Sequence, residues 1–218
     1  PSEMCIRDSY DMDIKPFKSV QSTEEFRYEI KKSVFLSEAR MIESEEDAEK
    51  FINYVKEKHP KATHHCYAYT FDVGGLREKA EDDGEPSGTA GLPILKALKM
   101  NELQNCMIVV TRYYGGIKLG AGGLTRAYMS SATGVIEDAG IRSFKTFYDI
   151  MINVGYDLYD ILLNYINNAA IQILNTEFYE DIKVVVTVPE KTKDKFISDI
   201  ADLTSGTAKT EIIKEVLR

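Results

Sequence analysis

The chain has 218 residues, 44% hydrophobic and 28% charged, with a formal net charge of -8. That length suits one large domain or two small ones with a real core, and the negative balance excludes coating of DNA through bulk positive charge, though not a local basic patch. No run reaches the ~18 apolar residues of a membrane span, no leader pattern opens the text, and Cys5, Cys66 and Cys106 are too few for a disulfide framework.

A reduced, cytoplasmic setting is therefore expected. "PSEMCIRDS" carries no periodicity, and residues 1–22 are expected to be disordered or artefactual. From Glu25 to Met41 a loose alternation predicts strand, with a turn near Lys31–Ser33. "SEEDAEKFINYVKEKHP" predicts a helix that Ser44 can cap, with Asp47 three residues on. Ala48, Phe51, Ile52 and Val55 form its buried face and Pro60 stops it. "HHCYAYTFD" alternates strictly: His64, Cys66, Ala68 and Thr70 share one face, and His65, Tyr67, Tyr69 and Phe71 the other.

Gly74–Gly75 and an acidic loop, "EKAEDDGEPSGTAG", come next. A helix then starts near Leu92, with Pro93 in its first turn and Leu95 and Leu98 inward. "CMIVVTRYY" is apolar throughout and predicts a central strand. A glycine-rich loop leads to a helix over Leu124–Ala139 with Gly140 as its stop. After Ile141 the pattern resets to strand, helix, strand, strand, helix, strand. The first of these helices carries Leu158, Ile161, Leu162, Tyr165 and Ile166, and the second Phe196, Ile197, Ile200 and Leu203. That βαββαβ order predicts a ferredoxin-like domain, with one domain over residues 23–143 and the next over 144–218. The fold class is α+β.

"RYYGGIKLGAGGLTRAY", from Arg112 to Tyr128, holds five glycines. Alanine at 121 breaks the P-loop pattern, and the dinucleotide fingerprint lacks its third glycine. A helix start nonetheless offers free N–H groups and about half a positive charge. Gly120, Gly122 and Gly123 permit close approach, and Arg112, Lys118 and Arg126 can add cationic donors. Ile117 and Leu119 are expected to anchor the loop in the core. The alternative is a structural turn with solvated charges.

"EDDGEPSGTAGLP" supplies a second glycine-rich helix start, where Ser87, Gly88 and Thr89 can join the same anion pocket. Glu81, Asp82, Asp83 and Glu85 can bind Mg²⁺, act as bases, form a solvated loop, or pair with the neighbouring arginines. Asp82 and Asp83 can also hold the neighbouring basic residues in place. His65 and Tyr67 are candidates for stacking bases, or for core packing under a helix. His64 and Cys66 lie roughly 7 Å apart along one strand face, too far for a Cys-His nucleophile. The histidines and cysteines match no zinc spacing. No catalytic residue, metal or cofactor is expected.

"ATHHCYAY", "EDDGEPSGTAGLPIL" and "VVTRYYGGIKLGAGGLTRAY" resemble, in this order, the signatures of the YigZ/IMPACT family. The resemblance implies an N-terminal domain like those of a small-subunit ribosomal protein and of elongation factor G domain four. It also implies a ferredoxin-like second domain of the bacterial YigZ branch. Eukaryotic members restrain a translation-control kinase through a partner protein, using an amino-terminal module that is not recognisable here. Val34 and Leu92 stand where relatives often carry basic residues. The expected function is non-catalytic binding of RNA or ribosome-associated factors. The alternative is an enzyme or sensor for a small phosphorylated metabolite at the same pocket, and oligomeric state is left open.

Overall fold

A computed structural model describes residues 15–20, 25–72 and 75–218. The chain divides into two units, the first spanning Phe17–Ser143 and the second built on Phe144–Arg218. Both mix helices with antiparallel sheets. Most of the segment 1–22 lies outside the described residues.

The first unit contains β1 (Phe17–Val20), β2 (Phe26–Ile30), β3 (Ser33–Met41), α1 (Glu45–Lys58), β4 (His64–Asp72) and β5 (Leu76–Glu81). It continues with α2 (Gly91–Met100), β6 (Cys106–Tyr113), α3 (Ala121–Ala139) and β7 (Ile141–Phe144). Five of these strands form one sheet in the order β2-β3-β6-β4-β5. The strand at its centre, β6, is covered on both faces, which is why its sequence is an unbroken apolar run.

Cys106, Ile108 and Val110 face α2 and α3, in a core shared with Phe35, Leu98 and Tyr128. Met107 and Val109 face α1, in a core shared with Phe51, Val55 and Phe71. Each large side chain so buried contributes about 1.5–3 kcal/mol by leaving water. Ser44 caps α1, its Oγ accepting the Asp47 N–H at 3.1 Å.

Two strands depart from the sequence expectation. Phe17–Val20 was placed in an unstructured segment, yet β1 buries Phe17 and Val20 and pairs with β7. The sequence expectation places Glu78–Glu81 in the acidic loop, yet these residues belong to β5, which pairs along β4 from Tyr67↔Glu81 to Asp72↔Leu76. A charged, one-sided edge strand has no apolar alternation to announce it, and its charges guard the edge against pairing with another chain.

The second unit runs β8 (Thr146–Val154), α4 (Tyr156–Asn168), β9 (Gln172–Phe178), β10 (Ile182–Pro189), α5 (Glu190–Leu203) and β11 (Lys209–Leu217). Its sheet order is β11-β8-β10-β9. Ile150, Ile152, Val184 and Val186 meet Leu162 and Ile166 of α4 and Phe196 and Ile200 of α5. Ile161, assigned to the inner stripe from spacing, is 47% exposed.

Candidate functional site: two helix starts in the first unit

The loop before α2 closes on itself. Asp82 follows β5 directly, and its carboxylate accepts the N–H groups of Gly88 at 2.7 Å, Ala90 at 2.9 Å and Gly91 at 2.8 Å. Burial disfavours the Asp82 carboxylate, but the three amide donors outweigh it and hold its pKa below the usual carboxylate range. Gly91 permits this closure, because a Cβ there would lie 2.5 Å from the backbone nitrogen of Glu81. The position where a bound anion was expected at the start of α2 thus holds the chain's own carboxylate. Of the other expected donors, Ser87 is exposed, while Thr89 is buried and its hydroxyl donates to the Pro86 carbonyl at 2.6 Å.

Arg112 points inward. It is 5% exposed, and its Nη1 donates to Glu85 Oε1 at 2.5 Å. Its Nη2 donates to Ser33 Oγ at 3.3 Å, and its guanidinium lies 5.4 Å from the Phe35 and Tyr114 rings. The same Glu85 oxygen accepts the Tyr128 hydroxyl at 2.8 Å, which in turn accepts from Cys66 Sγ at 3.2 Å. This network ties β3, β4, β6, α3 and the loop before α2 together beneath the glycine-rich segments. Glu85 is one of the four acidic residues weighed from the sequence as a base, a Mg²⁺ ligand or an arginine partner, and the structure pairs it with Arg112. Tyr128 and Ser33 carry no such signal in the sequence.

Burial pushes the Cys66 thiol well up and that of Cys106 up to about 12, so neither is a ready thiolate at neutral pH.

The start of α3 is open by contrast. Gly120 is its N-cap at φ +73°, with no side chain to cap the helix. The Leu124 N–H is the first to bond back, to the Gly120 carbonyl at 2.9 Å. Ala121, Gly122 and Gly123 precede it, and their N–H groups are the helix's unsatisfied donors. Lys118 and Arg126 are exposed beside them. Arg126 folds back along its own helix, its Nη1 3.6 Å from where a Gly122 Cβ would stand. Leu119 packs against the core as expected, whereas Ile117 is 42% exposed.

The loop rests on the turn between β2 and β3. A Cβ on Gly115 would fall 2.0 Å from the Lys32 carbonyl carbon, so glycine is required there. Lys31 and Lys32 hold φ of +46° and +64° in that turn, a left-handed backbone costing roughly 1 kcal/mol or more per non-glycine residue. Both are exposed. Lys32 thereby joins Lys118 and Arg126 as a cation close to the loop.

His65 and Tyr67 are not brought to this site. They lie on the β4 face turned toward α1. The buried His65 ring contacts the His59 carbonyl through Nε2 at 3.2 Å, and burial lowers its pKa. The His65 N–H donates to Asp83 Oδ2 at 2.6 Å, so Asp83 steadies β4 rather than any basic residue of the loop. Tyr67 stacks on Tyr69 at 6.4 Å, beside a cavity of about 150 Å³ also lined by Glu45, Glu49 and Lys79. Elsewhere, Glu25, Glu38 and His59 converge within 4.8 Å, and the ammonium of Lys58 holds both carboxylates, at 3.7 and 3.0 Å.

Residues 31–136 match the Impact N-terminal domain, and residues 152–207 match a domain of unknown function (DUF1949). The IMPACT family member YvyE of Bacillus subtilis is 35% identical over 86% of this chain and 87% of its own length. The chain belongs to the IMPACT family. The IMPACT family member YigZ of Escherichia coli is 30% identical over 86% of this chain and 93% of that protein. A solved structure described as a hypothetical protein superposes with a TM-score of 0.56 at 27% identity, covering 92% of this chain and 98% of its own. The open start of α3 and the sealed start of α2 both fall inside the Impact N-terminal match. Among the described residues, no helix is long and apolar enough to cross a membrane.

Proposed function

We propose that this IMPACT-family chain is a non-catalytic cytoplasmic protein that binds RNA and so influences translation, with the start of α3 as its phosphate-holding element. The observation that carries the reading is the contrast between the two helix starts. The α2 amides are satisfied by Asp82, whereas those at Ala121, Gly122 and Gly123 have no capping side chain and stand beside exposed Lys118 and Arg126. Unpaired amides at the positive end of a helix favour an anion, and flanking cations add charge-assisted bonds.

On a chain of net charge -8, such a cluster confines a nucleic acid to one place. The family resemblance, which implies a first domain like elongation factor G domain four, supports the same direction. Arg112 supports the loop from below through Glu85 and is no direct ligand in this reading. The test is a salt titration of single-stranded RNA binding. Removing two phosphate contacts with Lys118→Ala and Arg126→Ala lowers the slope of log affinity against log salt by about 1.4. An unchanged slope sinks the proposal.

The same open helix start also suits one phosphate of a small metabolite. Stabilisation of the protein by nucleotides or sugar phosphates, together with failure to bind RNA, favours that second reading. Asp82 is not its general base, since its carboxylate already takes three amides.

A further inference from the structure

We propose that the end of the second unit where α4 begins and β9 turns into β10 is a docking surface for a basic protein segment carrying apolar side chains. Tyr156, Phe178 and Tyr179 are 56%, 59% and 61% exposed there, and half-buried Tyr159 underlies them. Single exposed apolar residues are ordinary, but adjoining aromatic rings are the surface signature of an interface. The rings are already held in place. Tyr159 meets Phe178 edge-on at 5.8 Å and 76°, and the Tyr156 hydroxyl donates to the Tyr179 carbonyl at 2.8 Å. Ordering them on binding therefore costs little entropy.

Charge selects the partner. Asp157 and Asp160 flank Tyr156 on α4, and Glu177, Glu180 and Asp181 flank Phe178 and Tyr179. Asp181 is fixed by the Asn153 side-chain amide at 3.1 Å. Lys183 stands at the patch, its Nζ 5.5 Å from the Tyr179 ring, so a ring face here already receives an ammonium. Five carboxylates outnumber Lys183 and Lys209, which pair with Asn153 from either side, and they repel a phosphate backbone. They equally oppose a second copy of the same patch, because a two-fold contact would set carboxylate against carboxylate. Arginine or lysine side chains satisfy the rim, and an apolar side chain between them covers the rings.

The experiment replaces Tyr179 with the photoreactive p-benzoylphenylalanine in the full chain and irradiates living cells. The expected result is an adduct to another protein whose cross-linked segment carries net positive charge. Its yield falls about tenfold when Asp157→Asn, Asp160→Asn and Glu180→Gln are combined. The yield also falls with Phe178→Ser, in a protein whose thermal unfolding is unchanged. An adduct to RNA or to a second copy of the chain, no adduct, or a yield indifferent to both substitutions overturns the proposal.

Discussion

Asp82 Oδ1 lies 2.8 Å from the amide nitrogen of Gly91, a contact with no counterpart at the other glycine-rich helix start of this chain. With Gly88 and Ala90 also bonded to its carboxylate, Asp82 acts as an internal anion at the start of α2. No equivalent carboxylate caps α3. The two starts look alike as text and differ completely as sites.

Replacing Asp82 by alanine leaves three amides without their acceptor and costs about 2 kcal/mol of stability. Because the folded-state pKa of Asp82 lies below its unfolded value, this contribution is fully present above the ordinary carboxylate range. It drains away as pH falls through the folded value. Urea unfolding at several pH values checks both points: the gap between wild type and Asp82→Ala is constant near neutrality and closes in acid.

The Arg112–Glu85 pair is buried, with side-chain exposures of 6% and 4%, so removing either partner strands a charge in the core. Arg112→Ala and Glu85→Gln are each expected to cost about 3–5 kcal/mol, and the double variant less than their sum. Equilibrium denaturation of the three variants measures the coupling. Additive losses would show the pair to be energetically independent. Any loss of ligand binding in Arg112→Ala then reports damage to the scaffold rather than a missing contact.

Gly115 and Gly116 are neighbours that need glycine for different reasons. At Gly115 a methyl group would strike the Lys32 backbone at 2.0 Å, and the loop must leave the β2–β3 turn to admit it. Gly115→Ala is expected to destabilise by about 2 kcal/mol or more. Gly116 has open space but φ +81°, so Gly116→Ala costs only the backbone strain, about 1 kcal/mol. Thermal denaturation ranks the two, and equal shifts would contradict the packing argument.

Much of the frame was legible because it rests on interactions within a few residues. Ser44 sits three residues from the N–H it caps, β6 reads as an apolar run, and Gly140 ends α3. The motifs that resemble the IMPACT family run along β4 and β6 and across the two glycine-rich segments into α2 and α3, and the matched domains agree with that resemblance. Edge strands were harder. The polar β5 becomes a strand only because β4 offers it a ladder.

By itself, the sequence determined the helices and most strands, the family, and the presence of two glycine-rich helix starts, since periodicity, caps and turn residues act locally. Tertiary structure alone decided how those starts differ. Glu85 reaches Arg112 across 27 positions and Tyr128 across 43, and the Gly115 loop reaches Ser33 across 82. Which charge is buried, which amide is already taken and which cation stays free all depend on how distant strands pair. Those pairings follow from collective burial of the sheet's two faces, and no short stretch of residues encodes them.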